Sequence, residues 1–289
     1  MVPSGGLPIS YPFVRLQVPM GVHPTAVIED GAQFGDDVEI GPYCILGSKV
    51  VLGDGCQLHS HVVIDGDTKL GNNNTIFPNA VIGTTPQDKK LTGTEAASKL
   101  RIGDSNQIRE FVTIHGGTDY GGGITTIGSH NMLLASCHVG HDACVGDHTI
   151  FTNGAMAAGH TQIGDRAILG AMVGIHQFAR VGEFAMIGAG AMLSKDAPPF
   201  SLVQGDRARL VSINVIGLKR AGFKNSTIQE IKRVYRQLFW RAGTQDERLA
   251  AVADLAAGNE SIQRLVEFIR TSERGLVMPR RQGTQDDNT

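Results

Sequence analysis

The chain has 289 residues, 41% hydrophobic and 19% charged, with 26 Lys and Arg against 28 Asp and Glu. A formal charge of −2 excludes bulk attraction to nucleic acid, and no apolar run of 18 or more residues is present to form a transmembrane helix. The four cysteines, Cys44, Cys56, Cys137 and Cys144, make no C-x-x-C pair, which argues against thiolate zinc and fits a reducing, cytoplasmic setting.

Residues 1–20 contain Arg15 but lack the charged, apolar and cleavage regions of a signal peptide, so they read as a disordered or loosely docked extension. A beat of six then begins. Ile28, Phe34, Ile40, Leu46, Leu52, Leu58, Ile64, Leu70, Ile76 and Ile82 follow one another at that spacing. The beat breaks, returns at Ile102, Ile108 and Ile114, and breaks again. It then holds from Ile127 through Leu133, Val139, Val145, Phe151, Ala157, Ile163, Leu169, Ile175, Val181 and Ile187 to Leu193. A period of six fits neither the 3.6 of an α-helix nor a hairpin meander. It is the signature of a parallel β-helix, in which each hexad is a short strand plus a turn and three hexads close a triangular coil of about 18 residues. The aliphatic side chain points into the prism, and coils stacked about 4.8 Å apart pair their backbones. Cys44 and Cys56 share a hexad position with Ala32 and Ala80 and read as small buried residues. The low charge implies that some flat faces of the solenoid are buried against copies of itself.

Both breaks require extra chain to leave the prism. The first carries TTPQDKKLTGTEAASKL (84–100) and the second GGTDYGGGITT (116–126), and solenoids push such insertions out as loops, often on the binding face. Gly121, Gly122 and Gly123 match no phosphate-loop pattern and read as a flexible loop tip. After Pro198 and Pro199 the pattern turns helical. Ser226 and Gln229 suggest a capping box, Ile228, Ile231, Tyr235, Leu238 and Phe239 an apolar stripe, and Gly243 a stop. Further helices are expected over about 246–257 and 260–272. The expected division is an extension at 1–20, a β-helix at 21–203, a small helical domain at 204–276 and a flexible tail at 277–289. The helical domain gathers Lys219, Arg220, Lys224, Lys232, Arg233, Arg236 and Arg241, a docking patch for an acidic carrier or a phosphate, or else an ordinary solvated face.

Seven of the ten histidines fall between residues 115 and 176. Residues 18 apart stack in such a coil, so His141, Gly159 and Gln177 form one column, with His138, His160 and His176 beside it. Two chemistries can use this patch: general-base catalysis by an imidazole, with Asp142 placed to orient His141, or a three-histidine zinc site built on H-x-x-H.

The segments GVHPTA (21–26), IGPYCILG (40–47), PQDKK (86–90), HVGHDACVGD (138–147), GIHQF (174–178) and NVIGLKRAGF (214–223) carry a resemblance over about residues 21–276. By them the chain resembles the UDP-N-acetylglucosamine O-acyltransferases of lipid A biosynthesis. The resemblance implies a left-handed β-helix, a homotrimer with clefts between subunits, and transfer of a 3-hydroxyacyl group from acyl carrier protein to the glucosamine 3-hydroxyl of UDP-N-acetylglucosamine. His141 would be the general base, Asp142 its orienting partner and the Gly159 N–H the oxyanion donor. Gln87, Asp88, Lys90, His115, His138 and His160 would position the sugar and nucleotide. His176 and Gln177 would line the acyl side, and Asn214 and Arg220 would contact the nucleotide. Gly188 and Ala189 would form the acyl-chain ruler, and no metal or organic cofactor would be needed. Gly116, Ile216 and Ala221 depart from the family's usual residues, with Arg207 a candidate to compensate. Rival readings are an acyltransferase for a 3-amino sugar or an N-acyltransferase, a coenzyme A-dependent acetyltransferase, a zinc carbonic anhydrase of the same fold, and a non-catalytic scaffold.

Overall fold

The structure is a computed structural model that describes residues 21–90 and 98–280; the expectations for 1–20 and 281–289 lie outside it. The hexad beat becomes a left-handed parallel β-helix with a small helical region after it. Three sheets of nine, eight and ten strands form the faces. The first face opens with Val27–Ile28, the second with Gln33–Phe34 and the third with Glu39–Ile40. From Glu39–Ile40 onward the two-residue strands expose their first position and bury their second. Ile40, Leu46, Ile64, Ile82, Ile108, Leu133, Phe151 and Leu169 are fully buried for that reason. Burying one such side chain contributes about 1.5–3 kcal/mol. Cys44, Cys56 and Cys137 are buried as small core residues, whereas Cys144 takes the outward position and is exposed.

The 18-residue coil is visible in the pairing of Val27 with Ile45 and of Ile45 with Val63. It is interrupted twice. Ile82 pairs with Ile114, 32 residues on, and Ile108 with Leu133, 25 on. Fourteen and seven residues respectively are thus extruded with only a local register shift between Ile82 and Thr84. Both insertions leave at the same corner, between the first and second faces: one joins Val81–Thr84 to Lys99–Ile102, the other Thr113–His115 to Ile124–Ile127. The stack is fixed at the second-to-third corner by a ladder of buried side chains. Asn74 Oδ1 accepts from the Asn106 N–H and Nδ2, Asn106 Oδ1 accepts from the Asn131 N–H, and Asn131 Oδ1 accepts from the Thr149 N–H and hydroxyl.

The C-terminal part differs from expectation in four places. The third face continues past residue 203: Ser201–Gln204 pairs in parallel with Met186–Ile187, then turns into an antiparallel partner, Arg209–Ile213. A domain boundary at 203/204 therefore cuts a hairpin. A helix α1, Val215–Arg220, follows, capped by Asn214, whose side chain accepts from the Gly217 N–H. In α2, Asn225–Tyr235, the N-cap is Lys224 and the Ser226–Gln229 box does not form; Arg236–Trp240 continues it as one π-turn. The capping box lies instead at Thr244 and Glu247, opening α3, Gln245–Ala250, and the expected second helix splits there from α4, Ala253–Ala257. The third, α5, is Glu260–Arg270, capped by Asn259. Leu276–Met278, expected to mark the start of a free tail, docks on the solenoid: Val277 is buried, its N–H donates to the Asp196 carbonyl, and the Met278 carbonyl accepts from the Leu210 N–H.

Replacing Asn106 by Ala would leave the buried Asn131 N–H without its acceptor, at a cost of about 1–3 kcal/mol. The expected outcome is an unfolding midpoint lowered by about 3–10 °C, measured by calorimetry, with the β signature in circular dichroism retained.

Candidate active site

The corner between the first and second faces gathers most of the expected site. His141 and Asp142 occupy the turn after His138–Val139, Gly159 and His160 the turn after Met156–Ala157, and His176 and Gln177 the turn after Gly174–Ile175. The 18-residue column is real: the His160 N–H donates to the His141 carbonyl at 2.9 Å and the Phe178 N–H to the Gly159 carbonyl at 3.2 Å. Asp142, His160 and Phe178 share the left-handed backbone conformation, with φ of 57°, 59° and 65°. Because the same conformation recurs at the other corners, it belongs to the turn and marks no special strain.

His141 is nearly buried. Its Nδ1 lies 2.8 Å from Asp142 Oδ2, and its Nε2 lies 3.7 Å from Asp88 Oδ2. The first distance is a hydrogen bond; the second is too long for one. With Asp142 accepting from Nδ1–H, Nε2 carries the lone pair and faces Asp88. The Nε2 end of the His141 ring lies against Gly159, where an added Cβ would come within 2.6 Å of Nε2. The buried Gly159 N–H donates to no protein acceptor among the described residues. His160 stands edge-on to His141 at 5.0 Å and stacks on Phe178 at 4.5 Å.

A second group joins His138, on the strand leading into the His141 turn, to Thr113 and His115 one coil toward the N-terminus. His115 is buried and meets His138 edge-on at 4.8 Å, and His138 Nδ1 is 2.8 Å from the Thr113 hydroxyl. Burial, then the neighbouring His138 and His141, pushes the His115 imidazole down to about 4. Burial likewise lowers His138 and His160. These imidazoles are neutral at pH 7 and offer hydrogen bonds rather than charge. For Asp142, burial favours the neutral acid, but hydrogen bonds from Thr118 and His141 outweigh it and hold the carboxyl below its ordinary range. Asp88 is also lowered, first by the Lys90 N–H and then by the Tyr120 hydroxyl.

The donor atoms of His141, Asp142 and His160 lie within 4.8 Å of one another. This is not the H-x-x-H grouping the spacing suggested: His138 turns to Thr113, and the Asp142 oxygens already accept from Thr118 and His141.

The structure does not bring every expected residue together. Gln87 and Lys90 lie exposed in the first insertion, Lys90 with its ammonium 5.7 Å from the centre of the Tyr120 ring. His176 is exposed, its Nδ1 held at 2.9 Å by the Gln177 carbonyl. Asn214 sits by the second-to-third corner with both amide ends engaged, by Gly217 N–H and the Phe184 carbonyl. Arg220 is exposed at the end of α1, as are Ile216 and Ala221. Gly188 and Ala189 lie at the third-to-first corner; Gly188 is buried against Gln204, and Ala189 alone of the two is exposed. Gly116 abuts Ser98, leaving no room for a larger residue without movement. Thr113, Thr118, Tyr120 and Thr125 were not singled out from the sequence; the only signal was their place beside His115 and the glycine run. The second insertion, expected as a flexible tip, folds back instead: Thr118 is fully buried, and its carbonyl accepts from the Gly121 and Gly123 N–H groups.

A hexapeptide-repeat β-helix with a histidine–carboxylate pair beside a free backbone N–H has the fold and the groups that a hexapeptide-class acyltransferase would use, and the relatives are of that class. The chain is 43% identical over 256 residues, 89% of its length and 98% of the relative's, to the acyl-acyl-carrier-protein–UDP-N-acetylglucosamine O-acyltransferase of Thiobacillus denitrificans. It superposes on the UDP-N-acetylglucosamine acyltransferase of Francisella novicida with a TM-score of 0.87 at 38% identity, covering 89% of this chain and 94% of that one. For the Campylobacter jejuni enzyme the TM-score is 0.85 at 35% identity, over 90% and 100% of the two chains. The profile described as "Udp N-acetylglucosamine O-acyltransferase; Domain 2" matches residues 196–277. The chain belongs to the UDP-N-acetylglucosamine O-acyltransferase family.

Gly159→Ala would push the His141 ring off its seat; the expected result is a kcat at least about 10-fold lower in an acyl-transfer assay with the melting temperature little changed. A second expectation concerns acid. The His115 imidazole titrates near 6.5 when unfolded and at about 4 when folded. Between those values the unfolded chain binds more protons, so stability falls as pH drops from about 6.5 to 4 and levels below it. In His115→Gln the slope of melting temperature against pH across that window becomes shallower.

Proposed function

We propose that this chain transfers a 3-hydroxyacyl group from acyl carrier protein to the glucosamine 3-hydroxyl of UDP-N-acetylglucosamine, the first step of lipid A biosynthesis. The observation that carries the reading is the His141–Asp142 pair, whose free Nε2 faces Asp88 across 3.7 Å and sits against Gly159. A hydroxyl placed between Asp88 and Nε2 reaches both. His141 takes its proton, and the oxygen attacks the thioester carbonyl. The Gly159 N–H receives the developing oxyanion. Collapse breaks the C–S bond, and the imidazolium returns the proton to the departing thiol. The thioester is already activated, so the reaction calls for no metal or organic cofactor. His115, His138 and His160 supply neutral hydrogen-bonding groups to the sugar and nucleotide, and His176 and Gln177 line the path of the acyl chain.

The remaining expected contacts lie at other corners of the prism, Asn214 and Arg220 near the second-to-third and Ala189 at the third-to-first. One substrate cannot reach all of them on one chain. A homotrimer resolves this by setting the His141 corner of one copy against the helical region and ruler of the next. The first face supports it with outward-facing, exposed Val27, Ile45, Met156 and Met192, and Tyr43, Phe111 and Met172 stand exposed at its edge. The basic residues Lys219 to Arg241, all exposed, supply the docking surface for the acidic carrier. No helix among the described residues is long and apolar enough to cross a membrane; we place the enzyme in the cytoplasm with its carrier protein.

The test is transfer from 3-hydroxyacyl carrier proteins of C8 to C16 to UDP-N-acetylglucosamine, read by mass spectrometry. A single product length is expected, and His141→Ala is expected to lower kcat at least about 10²-fold without unfolding the chain. Full activity in that variant would remove the general-base assignment. Ala189→Gly, by deleting one exposed methyl, should shift preference to longer donors.

A further inference from the structure

The second insertion reaches the His141–Asp142 pair through one residue. Thr118 is completely buried, and it spends both of its donors on Asp142: the N–H on Oδ1 at 2.9 Å and the hydroxyl on Oδ2 at 2.6 Å. From the other side the Thr125 hydroxyl accepts from the Asp142 N–H at 2.8 Å. The turn is held in turn by the Gly121 and Gly123 N–H groups on the Thr118 carbonyl, and by Gly117 and Lys99 at its base. Gly121 lies directly over the Asp142 carboxylate; a Cβ there would meet Asp142 Oδ2 at 2.3 Å, Thr118 Oγ1 at 2.4 Å and His160 Cε1 at 2.6 Å.

This arrangement has a reason in the geometry. Asp142 Oδ2 stands between two imidazoles, with His141 Nδ1 at 2.8 Å and His160 Nε2 at 3.8 Å. A carboxylate rotates readily about its last bond, and a small rotation would trade one partner for the other. With each oxygen pinned by a separate donor, rotation breaks two hydrogen bonds at once. We propose that Thr118 is a positioning residue for the transfer reaction: it locks the Asp142 carboxylate in the one orientation that serves His141 rather than His160. The insertion is thus a clamp on the orienting group, and Gly121 is required because the clamp closes with no space for a side chain. Thr118 itself touches no substrate and acts only through Asp142. The inference rests on the reading of Asp142 as the partner of the general base.

The experiment is a double-mutant cycle in the acyl-transfer assay, with Thr118→Val and Asp142→Asn, singly and together. Thr118→Val is expected to lower kcat about 10²-fold while the KM for UDP-N-acetylglucosamine changes less than about 2-fold. Thr118→Ser, which keeps both donors, should return kcat to within about 3-fold of the unmodified enzyme. In the Asp142→Asn background, adding Thr118→Val should cost less than about 2-fold. Equal losses in both backgrounds would overturn the proposal, since a merely structural threonine acts independently of Asp142; so would an unimpaired Thr118→Val. Thr118→Ala, which removes the hydroxyl without adding bulk, replaces Thr118→Val if melting shows that valine unfolds the chain. A fully active Asp142→Asn variant would instead sink the underlying reading of Asp142, which separates the two failures.

Discussion

Everything in this molecule depends on backbone pairing between successive coils at a fixed register. In a parallel stack each residue lies over the one a full coil earlier, so a side chain's place is set by its phase in the six-residue beat. The inward phase is filled by Ile, Leu and Val and buried almost without exception from Ile40 onward. Because a slip of one residue would turn that whole row outward, the register is held by the strongest force available to the chain. The buried amide ladder of Asn74, Asn106 and Asn131 adds a directional lock that apolar contacts alone lack.

A rigid register makes a site cheap to build from residues far apart in sequence. His141, Gly159 and Gln177 share one edge because their backbones share one column. Extra chain can be let out at that edge with only a local register shift between Ile82 and Thr84, since pairing resumes in phase with Lys99 on Asp67 and Ile124 on Lys99. The two insertions supply what a bare corner lacks: Asp88 opposite Nε2 of His141, and Thr118 behind Asp142. Support for the His141–Asp142 pair therefore comes from irregular chain anchored on the regular coils.

Much of this was legible in the residues. The beat gave the β-helix, the 18-residue spacing gave the histidine column, and the phase breaks gave both insertions. What could not be read were hydrogen bonds that depend on where an irregular segment folds back. GGTDYGGGITT has the composition of a loose tip, and nothing in it shows that Thr118 is buried against Asp142. The same holds for the C-terminal caps. Ser226 and Gln229 have the right spacing for a box, but the chain enters the helix two residues earlier, with Lys224 at the N-cap, and Thr244 with Glu247 forms the real one. The hairpin of Ser201–Gln204 with Arg209–Ile213 was missed because, after two prolines, the inward residue leaves the beat: Val203 lies over Ile187 only 16 residues on. Nor could sequence alone show that Ala189, Asn214 and His141 stand at three different corners.

That hairpin has a wider meaning. A parallel β-helix is close kin to a fibril: its last coil exposes a row of unpaired backbone groups on which another coil could grow. Here the third face ends in a strand running the opposite way, Arg209–Ile213, and Leu276–Met278 lies across the neighbouring edge. A parallel coil cannot continue on an antiparallel edge capped by its own tail. Reversing one strand thus limits the length of the stack and keeps a repeating sequence, apolar every sixth residue, from adding further copies end to end.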